Sequence, residues 1–499
     1  MYFTHSGLRV LVIILLFVTK SYSQQREAFI YVPDTLVKSS PDRLTKIKTQ
    51  LDADLKDLDT KQKDQREFIS KRYKGRYDYF KSSIEEGDFL INSDLEKYLV
   101  KILKEVLAAN HNLDPAIQLF VSRNTVPNAY STGDGNIIFN IGLLNKMDND
   151  AEIAFVMCHE LSHQFLQHTK RKLALKAEKY TDKDYVKKLR KTLREEYNVN
   201  QKLSDLIMPG LLSEMQFSRK DELEADSLGL IFLSNTRFEK KASISVIEKL
   251  DSIDLFYDKD PLALSMVLNC AGYTYQARWE PEVHKSSLQV IEDEKDTLED
   301  SLKTHPDCKI RFQSIMRILP QNKNNIGVYF FSDSAAFRKL KLQAEAENIH
   351  TMLLWDNIGR MMFYAYHSTV YFPDNLYSRI FLSIGFARLN HLQRTHKVNT
   401  EFPLPINDFE VNYNKMLNFL TNLNREESAS LGYYLLRPVQ EPLKKYEDYL
   451  AALAYSAFAM NKKEELTELI GEYTNSFPKG KYTQLFKEIN TNTNQTNKK

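Results

Sequence analysis

Apolar residues recur at three- and four-residue spacing along most of this chain, first at Leu44, Ile47, Leu51, Leu55 and Leu58. That rhythm sets one apolar stripe on a helix, within a highly charged stretch from residue 24 to about 90. DLEKYLVKILKEVLAAN (Asp94 to Asn110) predicts another amphipathic helix. The pattern then changes. AIQLFVSR and NIIFNIGLL are β-branched and aromatic enough for two strands, the second ending near Gly142, with the turn-rich VPNAYSTGDG between them. Asn149 and Asp150 are good N-caps for the next helix, AEIAFVMCHELSHQFLQHTKRK, which is apolar along Ile153, Met157, Leu161 and Phe165. MPG at Met208 to Gly210 is expected to break the chain before the following helix. Beyond about residue 320 helical spacing returns. YEDYLAALAYSAFAMNKKEELTELIGEYTNSFP resembles a single tetratricopeptide-type helical pair turning at Asn461, with no clean fixed period upstream.

The elements predict a mainly α (α+β) chain with a small sheet. A length of 499 residues implies two or three domains. The expected segments are 1–23 as a signal peptide, 24–90 as an N-terminal helical segment, 91–320 as the chemistry-bearing domain and 321–499 as a C-terminal helical domain. The first rests on Arg9, the apolar run Leu11 to Val18, and the small residues Ser21 and Ser23 before Gln24. That run is shorter than the ~18 apolar residues needed to span a bilayer. The expectation is therefore an exported protein, periplasmic or extracellular, without a spanning helix in the mature chain.

Charge changes the picture only locally. The formal net charge is +2, which gives no case for nucleic acid binding. Between Lys170 and Lys202, however, 12 basic side chains face five acidic ones. The plain account is a pair of solvated helices; the alternative is a lid or partner-docking arm. Of the three cysteines, Cys158 suits a buried apolar position, and Cys270 could pair with Cys308.

The decisive chemistry is HELSH: His159, Glu160 and His163. Residues four apart on a helix lie about 40° apart, so both imidazoles face one point. Two neutral imidazoles are good zinc ligands, and a catalytic zinc needs a third protein ligand and an open position. Glu160, beside the first His, can reach the water without ligating. Downstream, SRKDELEADSLG sets Glu222 and Asp226 four apart. One of the two can ligate while the other accepts a ligating ring's N–H.

Four ordered blocks carry a family resemblance: PNAYSTGDGNIIFNIGLL, HELSHQFLQH, SRKDELEADSLG and THPDCKIRF. Over residues 90 to 320 the chain resembles the HtpX-like zinc metallopeptidases, related to the CAAX prenyl endopeptidases and to BepA-type periplasmic proteases. The resemblance implies a zincin-type domain holding one Zn2+, with His159, His163 and Glu222 as ligands, Glu160 as catalytic base and Asp226 as supporting carboxylate. Glu224 falls about 200° from Glu222 and should point away. His168 falls about 180° from His159, so it suits packing or ligand support unless the helix ends or bends. His305, in a Pro-containing turn, could stabilise the oxyanion, occupy zinc's fourth position, or simply be a turn histidine. Cys308, three residues on, could cap the metal as a thiolate. NIIFNI is expected to be an edge strand that pairs with the substrate backbone.

The implied function is exported endopeptidase chemistry on polypeptide substrates, in envelope protein quality control, with partners docking on the C-terminal helices. The rival is a helical scaffold or chaperone with an occluded or inactive peptidase domain. A zinc-storage protein is disfavoured because Glu160 and a three-ligand open site suit hydrolysis.

Overall fold

The computed structural model describes residues 40–58, 60, 62–194, 199–280, 308–319, 327–373, 375–402, 410–437, 443–480, 482–483 and 486–487. The expected signal peptide lies outside the described residues, as does His305. The fold is mainly helical, with one three-stranded sheet among the described residues. Helices α1 (Pro41–Lys56), α2 (Lys63–Glu86) and α3 (Asp94–Ala109) lead into β1 (Gln118–Ser122), β2 (Ala129–Ser131) and β3 (Asn136–Asn140). Then come α4 (Asp150–Phe165), α5 (His168–Thr181), α6 (Lys183–Thr192), α7 (Val199–Ser234) and α8 (Ala242–Asp251).

The sheet order is β1-β3-β2, with β1 parallel and β2 antiparallel to β3. Side chains alternate across it. Leu119, Val121, Ile137 and Phe139 enter a core shared with α3, α4 and α8, while Phe120 and Ile138 meet Ile47, Phe80, Ile84 and Phe89 on the opposite face. A strand buried on both faces reads as a continuous apolar run, which accounts for NIIFN. β3 is therefore the central strand, not the expected edge. The exposed edge is β2, three residues inside the stretch that reads as a turn.

Two further expectations are corrected. Helix α4 stops at Phe165; Gln167 takes a left-handed φ of 55°, and α5 starts afresh at His168. The MPG segment does not break the chain, because α7 is helical from Val199 to Ser234. A proline inside a helix removes one backbone hydrogen bond, about 3 kcal/mol, and here it does not end the element.

The rest of the chain comprises α9 (Cys308–Ile318), α10 (Ser334–Leu354), α11 (Ile358–Tyr371), α12 (Tyr377–Arg394), α13 (Val411–Asn422), α14 (Arg425–Tyr434), α15 (Glu447–Ala459) and α16 (Lys463–Ser476). Helix α10 runs through two cores: Phe337, Leu340 and Ala344 pack with the sheet and α4, whereas Ile349 and Met352 join the C-terminal helices. Three helix ends close alike. Asp356, His396 and Asn461 have φ values of 55°, 56° and 56°, and each following N–H (Asn357, Lys397, Lys462) reaches a carbonyl five residues back at 2.9 Å. The last of these is the expected turn at Asn461. None of the three cysteines forms a disulfide, so the expected Cys270–Cys308 bridge is not made.

Candidate metal centre

Helix α4 is capped by Asn149, whose side chain accepts from Glu152 N–H at 3.0 Å, and its apolar residues fix it in the core. Its last turns present His159, Glu160 and His163 towards α7. The two helices meet closely because α7 carries Gly229: a Cβ there would lie 3.1 Å from His159 Cα. That contact brings Glu222 and Asp226 to the histidines.

His159 Nε2 and His163 Nε2 are 3.1 Å apart, and Glu222 oxygens lie 3.4 Å from the first and 3.5 Å from the second. Three donors around one tetrahedral zinc with bonds of about 2.0–2.1 Å sit about 3.3–3.4 Å from one another. The observed triangle fits such an ion. His159 and Glu222 are buried, at 9% and 7% exposure, so water alone does not explain why three donors converge.

Behind the triangle, Asp226 is fully buried and its Oδ1 lies 3.0 Å from His159 Nδ1. At that distance the carboxylate faces the ring nitrogen directly and favours its protonated form. Arg311 of α9 donates to both Asp226 oxygens, at 2.7 Å each, and stands 3.9 Å from Glu222. It is the arginine of THPDCKIRF, and its role was not legible from spacing: 85 residues separate it from Asp226.

His168 is brought back by the break after α4. Its Nδ1 lies 2.8 Å from His163 Nδ1, and its Nε2 lies 3.3 Å from Glu224. If His163 Nε2 faces the metal, its Nδ1–H donates to His168, which in turn donates from Nε2 to Glu224. Glu224 thus points away from the ligand triangle, as expected, yet joins it through His168. His168, Asp221 and Glu224 form a second acidic cluster, but Arg171 bonds Asp221 at 2.9 Å and Lys172 stands 3.5 Å from it. Those cations compensate the carboxylates, so an ion-pair network accounts for this cluster.

Electrostatics separate the two ligand histidines. Burial opposes a charged His159, but Asp226 and Glu222 outweigh it and hold the ring up to about 10. Burial pulls His163 down to about 3. Without an ion the pocket thus keeps a proton on His159, which metal uptake must displace. Burial pushes Asp226 up, but Arg311 and His159 outweigh it, so its carboxyl stays below the ordinary range. Burial pushes Glu160 up to about 7, and its Oε2 accepts Ser131 N–H of the β2 edge at 2.9 Å. Cys158 is buried, and burial pushes its thiol far up; it takes no part in the triangle. Cys308 opens α9 and is not among the converging donors.

Residues 93–319 match the model of peptidase family M48. This segment is an M48 peptidase domain. The chain is similar to the mitochondrial metalloendopeptidase OMA1 of Schizosaccharomyces pombe, 28% identical over 158 residues, which is 32% of this chain and 44% of that relative. It is 31% identical to Saccharomyces cerevisiae OMA1 over 128 residues, 26% of this chain and 34% of the relative. The Escherichia coli beta-barrel assembly-enhancing protease is 24% identical over 177 residues, 35% and 36% of the two chains. The similarity therefore spans less than half of each of these relatives. The M48 domain contains the whole triangle, Glu160, His168, Asp226 and Arg311, whereas α1, α2 and the helices from α10 onward fall outside the match.

Proposed function

We propose that this chain is a zinc-dependent endopeptidase. The observation carrying the reading is the convergence of His159, His163 and Glu222 on one point, with Glu160 beside them against an open strand edge. A zinc ion held by these three would supply Lewis acidity to the scissile carbonyl and acidity to a water molecule. Glu160 takes the water's proton and returns it to the leaving amine. The β2 edge receives an extended substrate: Thr132 N–H bonds Asn136 O and Asn140 N–H bonds Asn128 O, both at 3.0 Å, so alternation turns the Ala129 backbone groups and Ser131 C=O outward. Asp226 and Arg311 hold His159 in place, and His168 holds His163.

Export is supported by the leader-like order of residues 1–23, and no helix among the described residues is long and apolar enough to cross a membrane. A role in envelope protein quality control rests on the likeness to the beta-barrel assembly-enhancing protease. The C-terminal helices serve as a partner-docking scaffold beside the peptidase domain.

The test is hydrolysis of reduced casein by the full-length protein, with and without a chelator, alongside Glu160→Gln. Wild type should cleave and lose activity on chelation. The variant should keep its metal and lose about 10²–10⁴-fold in rate. Since the base must be ionised, activity should fall as pH drops through about 7, or lower because a bound dication pulls the carboxyl down. Undiminished casein cleavage by the metal-loaded variant refutes the assignment.

A further inference from the structure

Outside the metal centre, the described residues enclose a cavity of about 760 Å³ between α2 and α5. Arg72, Arg76, Lys170, Lys172 and Lys176 line it, and no carboxylate does. Aromatic rings share its lining: Phe68 and Tyr180 stack with centroids 6.3 Å apart, and Tyr73 lies beside them. Asp54 lies 2.6 Å from Arg76 and 3.1 Å from Lys170, Asp134 lies 2.8 Å from Arg76, and Asp221 lies 3.5 Å from Lys172; none of these acids lines the cavity.

The basic wall continues. A second cavity, about 920 Å³, shares Tyr180 and is lined by Lys183, Lys187, Arg190, Lys191 and Arg194, with Asp64 the one carboxylate in its lining among the described residues. Helix α6, which supplies most of this wall, buries no residue, so its cations stay accessible. The whole chain carries only +2; the positive field is a local construction.

At its other end the trough meets the catalytic edge. Thr132 lines the first cavity and follows Ser131, whose N–H holds Glu160. A polypeptide laid along β2 therefore runs from the scissile position into the basic walls. A channel lined by cations and aromatic rings suits an extended acidic chain.

We propose that the trough formed by α2, α5 and α6 binds an acidic stretch of the polypeptide substrate on one side of the cleavage point. This deepens the endopeptidase reading and rests on it for the term substrate. Arg72 and Arg76 of α2 lie outside the M48 match, whereas the cations of α5 and α6 lie within it.

The test uses full-length protein, labelled decaglutamate as probe, and decalysine for comparison. Decaglutamate should bind, bind more weakly as salt rises, and bind equally to zinc-loaded and chelator-treated protein. The double variant Arg72→Glu with Lys176→Glu should weaken binding about tenfold. For a peptide substrate carrying glutamates on one side of its cleavage point, it should raise KM by a similar factor with kcat held within about twofold. The milder Arg72→Ala with Lys176→Ala should lose about threefold, which covers a misfolding reversal variant. Lys415→Glu, on the C-terminal helices, should change neither reading. Decaglutamate binding without hydrolysis refutes the peptidase reading alone. Failure to bind decaglutamate, or binding indifferent to both double variants, overturns the trough. So does a site that takes inorganic phosphate or phosphatidylglycerol vesicles, with the same sensitivity to the variants, in place of decaglutamate.

Discussion

The M48 domain and the C-terminal helices both bury polar side chains, and two of these clusters differ in how they are closed. In the C-terminal helices, the groups around Ser383 and Asp448 close on each other. Ser383 of α12 donates to Gly432 O at 2.7 Å and sits 2.9 Å from Ser456 of α15, which itself bonds Ala452 O at 2.7 Å. Tyr377 and Tyr482 both donate to Asp448 at 2.6 Å. Those bonds stitch helix to helix. In the M48 domain, charged groups from α4, α7 and α9 converge and leave lone pairs aimed at one point. A buried donor set that closes on itself stabilises a fold; one that stays open towards a shared point is built to receive something.

The largest expected break in this contrast is Arg311→Met. It takes two charge-assisted hydrogen bonds from buried Asp226 and leaves the His159 ring as the partner beside it, a loss of about 3 kcal/mol. Urea unfolding of metal-free protein should show that loss, and a change under 1 kcal/mol would mean that Arg311 does not neutralise Asp226. Next comes His168→Ala, expected to weaken zinc binding about 10- to 100-fold in chelator competition. His168→Asn, whose amide oxygen can replace Nδ1, should recover part of that loss, whereas His168→Gln should not. Equal affinity in all three variants would reduce His168 to packing. The smallest effect belongs to the C-terminal helices: Ser383→Ala should cost about 1 kcal/mol of stability and leave zinc content and hydrolysis unchanged. A matching loss of zinc would erase the distinction between the regions.

How much of this was legible follows from where periodicity applies. His159, His163, Glu222 and Asp226 sit four apart on helices, so their shared faces follow from sequence alone, as does the mainly α fold. β1 and β3 were visible as apolar runs. The edge strand was not, since its three residues, Ala129 to Ser131, are too few for a period and are flanked by turn formers. For His168 the sequence predicts packing or ligand support unless the helix ends or bends; the helix does end, at a left-handed Gln167 that no glycine marks, and the ring lies against His163. Pro209 was overrated, as helix α7 continues past it. Arg311 belongs to the THPDCKIRF block, but its partner was not legible, because Asp226 is a tertiary neighbour. The basic stretch from Lys170 was read as solvated helices, but Leu173 and Ala177 of α5 pack against Leu51, Ile69 and Tyr73, so only α6 fits that description.

The central claim is that three side chains from two helices hold one ion. Anomalous scattering at the zinc edge, from crystals of the full-length protein grown with zinc, tests it most directly. The account predicts one strong peak about 2.0–2.2 Å from His159 Nε2, His163 Nε2 and a Glu222 oxygen. A peak at His168, Asp221 and Glu224 instead, or no peak at the triangle, would contradict it.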